Sequence, residues 1–112
     1  MEETNLLDTS IVIKYIIEDR LERLPGKITI YTAIEYPPSI KRVDEVIYPS
    51  REDYLLAIKW QTKLRKIGKP LPAVDLVIAA IALNNSYRLI TRDKHFKYIK
   101  EIEPNIRFEI ID

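Results

Sequence analysis

The fold prediction for this chain depends most on the segment GKPLPAVDLVIAAIALNNSYRLITRDKHFKYI at residues 68–99. Its apolar run, LVIAAIAL at residues 76–83, has no polar side, so we predict a central helix over residues 73–86 that is packed on both flanks. The segment RLIT at residues 88–91 predicts a buried strand, and residues 93–100 predict a turn followed by a short helix. A strand that follows an apolar helix so closely is typical of an α/β architecture.

Four further segments predict the remaining strands. They lie at residues 6–7 (LL), 27–31 (KITIY), 43–48 (VDEVIY) and 107–111 (RFEII). Between them we predict a helix of about three turns that begins at Asp8 and a long helix that Ser50 caps and Gly68 ends. This alternation predicts an α/β fold, a three-layer sandwich in which a mostly parallel central sheet is flanked by helices on both faces.

The long helix after Ser50 needs one apolar face to pack against the rest of the molecule. We predict that Leu55, Ile58, Leu64 and Ile67 form its buried face and that Ala57 and Trp60 flank it.

Composition and charge set the class of protein. The chain has 112 residues and predicts a single domain over residues 1–112, while 46% hydrophobic residues indicate an ordinary globular protein. The absence of cysteine excludes disulfides and thiolate metal sites, and a net charge of +1 does not by itself indicate a nucleic-acid partner. The start, MEETNLLDTS, lacks the pattern of a signal peptide and the longest apolar run is too short for a membrane span, so we expect a cytoplasmic protein without a membrane partner.

Four acidic residues are predicted at one edge of the sheet. Asp8 ends the first strand, Glu35 follows the second, and Asp93 follows the strand at residues 88–91. Asp75 opens the central helix and reaches the same edge if that helix runs antiparallel to the strands. In open parallel sheets, ligands bind beyond the carboxyl ends of the strands, so this edge is the candidate site.

Several carboxylates can stay ionised close together only if a cation lies among them. Oxygen ligands without cysteine or histidine favour Mg²⁺ or Mn²⁺, and such a site supports cleavage of phosphate esters.

Each acid also has a purely structural interpretation. Asp8 could cap a helix, Glu35 could form a capping box with Thr32, Asp75 could interact with the helix dipole, and Asp93 could stabilise a turn. From the residues alone, both interpretations stay open.

Two stretches resemble a known family. LLDTSIVIKYI at residues 6–16 resembles the opening of a PIN domain, and residues 68–99 resemble the second half of the VapC-type toxin ribonucleases. The resemblance implies a PIN-like fold and Mg²⁺- or Mn²⁺-dependent endoribonuclease activity on RNA. It also implies a homodimer and an antitoxin protein as partners.

The resemblance assigns roles by position. It implies that all four acids are catalytic, that Asp8, Asp75 and Asp93 hold one or two metal ions, and that Glu35 binds a metal or orients the attacking water. The hydroxyls of Ser10 and Thr91 match positions that support the metal site.

The chain departs from the family after its second strand. Relatives have a pair of helices there, whereas only residues 36–42, with two prolines, lie between Glu35 and the next strand. We therefore predict a shortened helical hairpin, since Tyr36 and Pro37 each precede a proline and do not easily adopt helical dihedrals. Because of this shortening, it is open whether a conventional antitoxin binds. The shorter segment also leaves apolar surface that a second subunit could cover.

Basic residues near the predicted site indicate RNA contacts, for which we select Arg92, Lys94 and Lys69. His95 is predicted to be an ordinary half-exposed side chain. The surrounding cluster also contains Lys66, Lys97, Lys100, Tyr87, Phe96 and Tyr98, although the lysines could equally form the solvated side of a helix.

Two other functions compete with an active ribonuclease. One is a non-catalytic PIN-fold module that binds RNA or a protein partner, which the shortened hairpin favours. The other is a receiver-type signalling domain, which would need paired acids after the first strand and a lysine at the end of a late strand. The sequence Thr91-Arg92-Asp93 fits that pattern poorly.

Overall fold

All of the strand pairs described below are parallel. The computed structural model describes residues 3–112. The strands are β1 (Asn5–Leu7), β2 (Ile28–Thr29), β3 (Val46–Ile47), β4 (Arg88–Thr91) and β5 (Phe108–Ile110). They form a β1-β4-β5 sheet and a β2-β3 pair, and a parallel bridge between Leu6 and Lys27 joins the two. The predicted α/β fold with a parallel sheet is confirmed.

The bridge depends on a close approach of two backbone segments. The Leu7 N–H donates to the Lys27 carbonyl and the Lys27 N–H donates to the Asn5 carbonyl, both at 2.8 Å. A Cβ at Gly26 would lie only 2.6 Å from the Asn5 oxygen, so this position requires glycine.

Helices alternate with these strands and cover the sheet. They are α1 (Thr9–Ile13), α2 (Ile30–Glu35), α3 (Arg51–Lys66), α4 (Ala73–Asn84) and α5 (Lys97–Ile102). Helix α1 continues as a π-helical turn at Lys14–Glu18, and 3₁₀ turns occupy Pro37–Arg42 and Lys94–Phe96. No helix within residues 3–112 combines the length and the apolar character needed to cross a bilayer.

Helix α4 lies at the centre of the larger hydrophobic core, as its sequence predicts. Residues 76–82 are all buried, and they share this core with Leu6 and Leu89 of the sheet. Helix α3 packs along α4 through Trp60 and Leu64. Complete burial of one large apolar side chain contributes about 1.5–3 kcal/mol, so this layer fixes α4 firmly against the sheet.

The predicted apolar face of α3 is correct for Leu64 and wrong for its other three members. Ala57, Trp60 and Leu64 are buried, whereas Leu55 and Ile58 are 53% and 64% exposed, and Ile67 is exposed as well. The indole of Trp60 is 1% exposed and brings more apolar surface into the core than any aliphatic alternative. The helix is therefore rotated toward the side that the sequence analysis treated as flanking.

The second strand and its capping box are also corrected. Only Ile28–Thr29 is strand, because the Thr29 hydroxyl accepts a hydrogen bond from the Thr32 N–H at 3.4 Å and starts α2 at Ile30. Thr32 is buried inside this helix, so it cannot be the cap that pairs with Glu35.

The segment after α2 is short, as predicted. Residues 36–42 contain a single 3₁₀ turn, Pro37–Arg42, before the chain enters the two-residue edge strand β3. The predicted strand over residues 43–48 is therefore too long. Residues 36–47, all within the described part of the chain, contain no α-helix.

Candidate active site

Asp8 lies where β1 ends and α1 begins, and it is only 7% exposed. Its Oδ1 accepts the backbone N–H of Thr9 at 2.9 Å, which makes it the helix cap. Its Oδ2 accepts the hydroxyls of Thr91 at 2.7 Å and Ser10 at 3.1 Å. The capping interpretation is thus correct, and the same carboxylate is also held at the candidate site.

The environment of Asp8 has opposing effects on its protonation. Burial raises its pKa most, the hydrogen bonds from Thr91, Ser10 and Thr9 lower it, and the charge of Asp93 raises it again. The net result is a raised pKa. An anion at this position is therefore held by hydroxyl donors but is not neutralised by any cation among these contacts.

Thr91 connects the ends of two neighbouring strands. Its hydroxyl donates to Asp8 and accepts the backbone N–H of Asp93 at 3.0 Å. The Ser10 hydroxyl in turn accepts the backbone N–H of Arg92 at 3.0 Å. The chain after β4 is thereby fixed beside Asp8, and both predicted supporting hydroxyls lie within this network.

Glu35 reaches the same edge through a contact that the sequence analysis missed. The Thr9 hydroxyl donates to Glu35 Oε1 at 2.7 Å and lies 2.8 Å from the Thr32 hydroxyl. Since Thr9 has one hydroxyl proton, Thr32 is the donor in the second contact. Glu35 is exposed and held from one side, so its carboxylate faces solvent at the edge of the sheet.

Asp75 is in the first turn of α4 and is half-buried. Its pKa is raised to about 6, first by burial and then by the charges of Asp8, Asp93 and Glu35, while His95 lowers it. A helix N-terminus by itself stabilises an anion, so burial and the three carboxylates outweigh the dipole here. The charges of the other three predicted acids therefore all act on Asp75.

The donor chemistry of this edge fits a hard divalent cation. The acids offer only oxygen atoms, and the pKa of Asp75 is raised first by burial and then by neighbouring carboxylates, effects that a nearby positive charge would offset. Across residues 3–112, no three acidic or histidine side chains are drawn together into a finished metal-binding cluster. A cation would thus have to draw the carboxylates closer than they lie here.

His95 contacts one of the four acids. Its backbone N–H and its ring Nδ1 both lie 2.9 Å from Asp93 Oδ1. The side chain is otherwise 69% exposed, and its ring centroid is 6.0 Å from that of Tyr98. The histidine is therefore exposed as predicted, but it is also part of the candidate site.

The three residues predicted to contact RNA lie in different surroundings. The Arg92 guanidinium forms an ion pair with Glu18 at 2.9 Å. Lys94 is exposed directly after Asp93. Lys69 pairs with Glu101 at 3.0 Å and lies farther along the surface.

Comparison with known proteins identifies similar sequences and structures. No family profile matches the sequence. The chain is 34% identical over 114 residues to Ribonuclease VapC1 of Methanocaldococcus jannaschii. This alignment covers 89% of the chain and 84% of that protein. Among solved structures, VapBC-1 of nontypeable Haemophilus influenzae is 28% identical with a TM-score of 0.72 and covers 96% of this chain and 97% of that one.

A more distant structure shares the fold. VapBC-5 of Mycobacterium tuberculosis, a member of the VapBC family of toxin–antitoxin systems, is 22% identical with a TM-score of 0.67. The match covers 98% of both chains.

Proposed function

Since the chain belongs to the VapC family of ribonucleases, we propose that it is an endoribonuclease that cleaves RNA phosphodiester bonds as the toxin of a toxin–antitoxin pair. One observation carries the proposal. Burial and the charges of three acids from distant parts of the chain raise the pKa of Asp75 to about 6. Carboxylates that repel one another at the carboxyl edge of a parallel sheet are what a divalent cation stabilises.

The proposed cofactor is Mg²⁺ or Mn²⁺, held by Asp8, Asp75 and Asp93. When bound, the cation would polarise the scissile phosphate and stabilise the leaving oxygen. The chain itself prepares the ligands, because the hydroxyls of Ser10 and Thr91 fix Oδ2 of Asp8.

Glu35 is proposed to handle the attacking water. Thr9 holds Oε1, which leaves the second carboxylate oxygen to accept a proton from a water molecule. That water then forms the new bond to phosphorus as the bond to the leaving ribose oxygen breaks. No histidine is needed as the base, and His95 serves instead to hold Asp93 in place.

Arg92, Lys94 and Lys69 are the proposed contacts to the RNA backbone. Arg92 is paired with Glu18 on the protein surface. An exposed ion pair of this kind contributes only about 0–1 kcal/mol, so an RNA phosphate can displace Glu18. The exposed Lys94 needs no such exchange.

Two protein partners belong to the proposal. VapBC-5 is a solved structure from a family of toxin–antitoxin systems, and we assign an antitoxin to this chain as well. A homodimer is proposed because α3 exposes Leu55 and Ile58, and large apolar side chains grouped on a surface typically mark an interface.

RNA cleavage in the presence and absence of Mn²⁺ tests the function. The wild-type protein is expected to cut RNA only with the metal, and Asp8→Asn and Asp75→Asn are each expected to lower the rate at least about 100-fold, as loss of a transition-state-stabilising group typically does. Glu22→Gln is the matched control, since Glu22 is an exposed acid away from this edge.

A protein that cleaves no RNA with any divalent metal, although it is folded, would instead be a non-catalytic PIN-fold module. The short segment at residues 36–42 is the feature that favours this second function.

A further inference from the structure

A groove with three lysines lies beside the candidate site. It has a volume of about 490 Å³ and runs between the linker before α4, helix α5 and strand β5. We call it the lysine groove. Its lining residues are Lys69, Lys97, Tyr98, Lys100, Glu101 and Phe108.

Charge is concentrated in the lysine groove. Three lysines and one glutamate give it two net positive charges, whereas the whole chain has a net charge of only +1. Glu101 is 3.0 Å from Lys69 and partly neutralises it, and Lys100 donates to the Ile106 carbonyl at 2.7 Å. Lys97 is exposed and is the lysine best placed to meet an added anion.

The aromatic side chains of the lysine groove lie among these ammonium groups. The ammonium of Lys69 is 4.8 Å from the ring centre of Tyr98, and that of Lys97 is 5.6 Å from it. Lys100 lies 5.8 Å from the ring centre of Phe108. Aromatic rings that alternate with cations suit single-stranded nucleic acid, whose bases stack while its phosphates pair.

Phe96 and Tyr87 do not belong to this surface, although the sequence analysis grouped them with it. Phe96 is 1% exposed in the core. Tyr87 lines a separate pocket with Ser86 and Arg107. Tyr98 is thus the aromatic of that group that lines the lysine groove.

A continuous series of contacts joins the lysine groove to the acids. Asp93 is 2.9 Å from the ring Nδ1 of His95, and the ring centres of His95 and Tyr98 are 6.0 Å apart. The ammonium groups of Lys69 and Lys97 both lie over the Tyr98 ring. We infer that the lysine groove is a subsite for the single-stranded RNA that flanks the cleaved bond, with a base on Tyr98 and phosphates on Lys97 and Lys69. This inference rests on the proposed function and extends it to substrates longer than the cleaved step.

Binding of single-stranded RNA of two lengths tests the subsite. In the chain with Asp75→Asn, which slows turnover, we would measure the Kd of a trinucleotide and of an RNA of about 12 nucleotides, within the span of single-strand sites. Lys97→Ala is expected to weaken binding of the long RNA about five- to tenfold and to lower its salt slope by about 0.7, the value for one lost phosphate contact. The trinucleotide should change less than about twofold.

A second variant removes the negative charge of the lysine groove and should have the opposite effect on binding. Glu101→Gln should tighten binding of the long RNA about two- to threefold, because Lys69 then meets phosphate without competition. Tyr98→Phe should bind like the parent protein, and Tyr98→Leu should weaken binding of the long RNA about tenfold, since it removes the stacking surface. Lys59→Ala on exposed α3 is the matched control and should change nothing.

The subsite is contradicted if Lys97→Ala and Glu101→Gln leave the long RNA unaffected, or if they shift both lengths equally, which indicates only general attraction. Failure of the proposed function is a separate result, because it would appear as wild-type protein that cuts no RNA while these binding differences persist.

Discussion

At the scale of single residues, the site depends on acidic side chains whose burial and proximity destabilise the folded protein. Asp75 is half-buried beside three other acids, so its anion is unfavourable when no cation is present. Asp8 is nearly buried and is kept in place by two hydroxyls. Strained placement of charge is typical of functional sites, where binding of a ligand relieves it.

The contribution of Asp75 to the stability of the metal-free protein should fall as pH rises from 3.8 to about 6. In the unfolded chain Asp75 loses its proton near 3.8, and in the folded protein near 6, so between these values the folded state binds more protons. Stability that is present below pH 3.8 is therefore lost by about pH 6. The full effect is at most about 3 kcal/mol, which partial solvent screening reduces to about 1–2 kcal/mol.

Asp75→Asn removes this dependence. Urea unfolding in EDTA should show the variant about 1–2 kcal/mol more stable than the wild type at pH 7 and close to it at pH 4. Equal stability of both proteins at the two pH values would contradict the electrostatic account of Asp75. Glu22→Gln, at an exposed site, should follow the wild type throughout.

Thr91→Val tests the connection between the strand ends. The change keeps the shape of a buried side chain but removes the donor to Asp8 and the acceptor for the Asp93 N–H. Loss of these partners should cost about 1–3 kcal/mol in the free energy of unfolding. Thr62→Val, on the exposed surface of α3, should cost less than about 0.5 kcal/mol. Equal small losses would show that the Thr91 network is not stabilising.

The candidate acids could be selected from the sequence, but their local contacts could not. Asp8, Asp75 and Asp93 follow or open elements with clear apolar patterns, so the rule for parallel sheets was enough to predict that they lie on one edge. Thr9 was missed, because its hydroxyl meets Glu35 across 26 positions of sequence and only the fold brings the two together. The capping box at Thr32 failed because Thr29 offers a competing cap three residues earlier.

At the scale of elements, α4 and α3 show what an apolar pattern can and cannot predict. Residues 76–82 of α4 are all apolar and all buried, so no choice of face was needed. Helix α3 has two overlapping apolar faces, and its pattern alone does not choose between the side of Trp60 and the side of Leu55 and Ile58. The choice depends on how the indole packs against α4, which is tertiary information.

Substitutions on α3 separate the two faces. Trp60→Ala should lower the free energy of unfolding by about 3–5 kcal/mol because it leaves a cavity beside α4. Leu55→Ala should change it by less than about 1 kcal/mol, because Leu55 is 53% exposed. Chemical denaturation measures both values, and a larger loss for Leu55→Ala would restore the face that the sequence analysis predicted.

At the scale of the whole molecule, the exposed apolar side chains of α3 point to association. Ile58 and Leu55 lie on the same helix as Tyr54, and all three are exposed. Ile58→Glu should therefore shift the proposed homodimer toward monomer in analytical ultracentrifugation, since it places a charge in the interface. Ile17→Glu, at an equally exposed isoleucine on the π-helical turn, is the control and should leave the mass unchanged. A wild-type protein that is monomeric at all concentrations would contradict the dimer.

Carboxylates from both ends of the chain lie at one edge of the sheet, where we propose that a divalent cation binds among them. The most direct test is a crystal of the protein soaked in Mn²⁺, with data collected at the manganese absorption edge. We predict an anomalous peak between Asp8, Asp75 and Asp93, with the carboxylates drawn toward it to the usual distance of about 2.0–2.2 Å for a metal–oxygen bond. No anomalous density at this edge under saturating Mn²⁺, or a peak bound elsewhere, would contradict it.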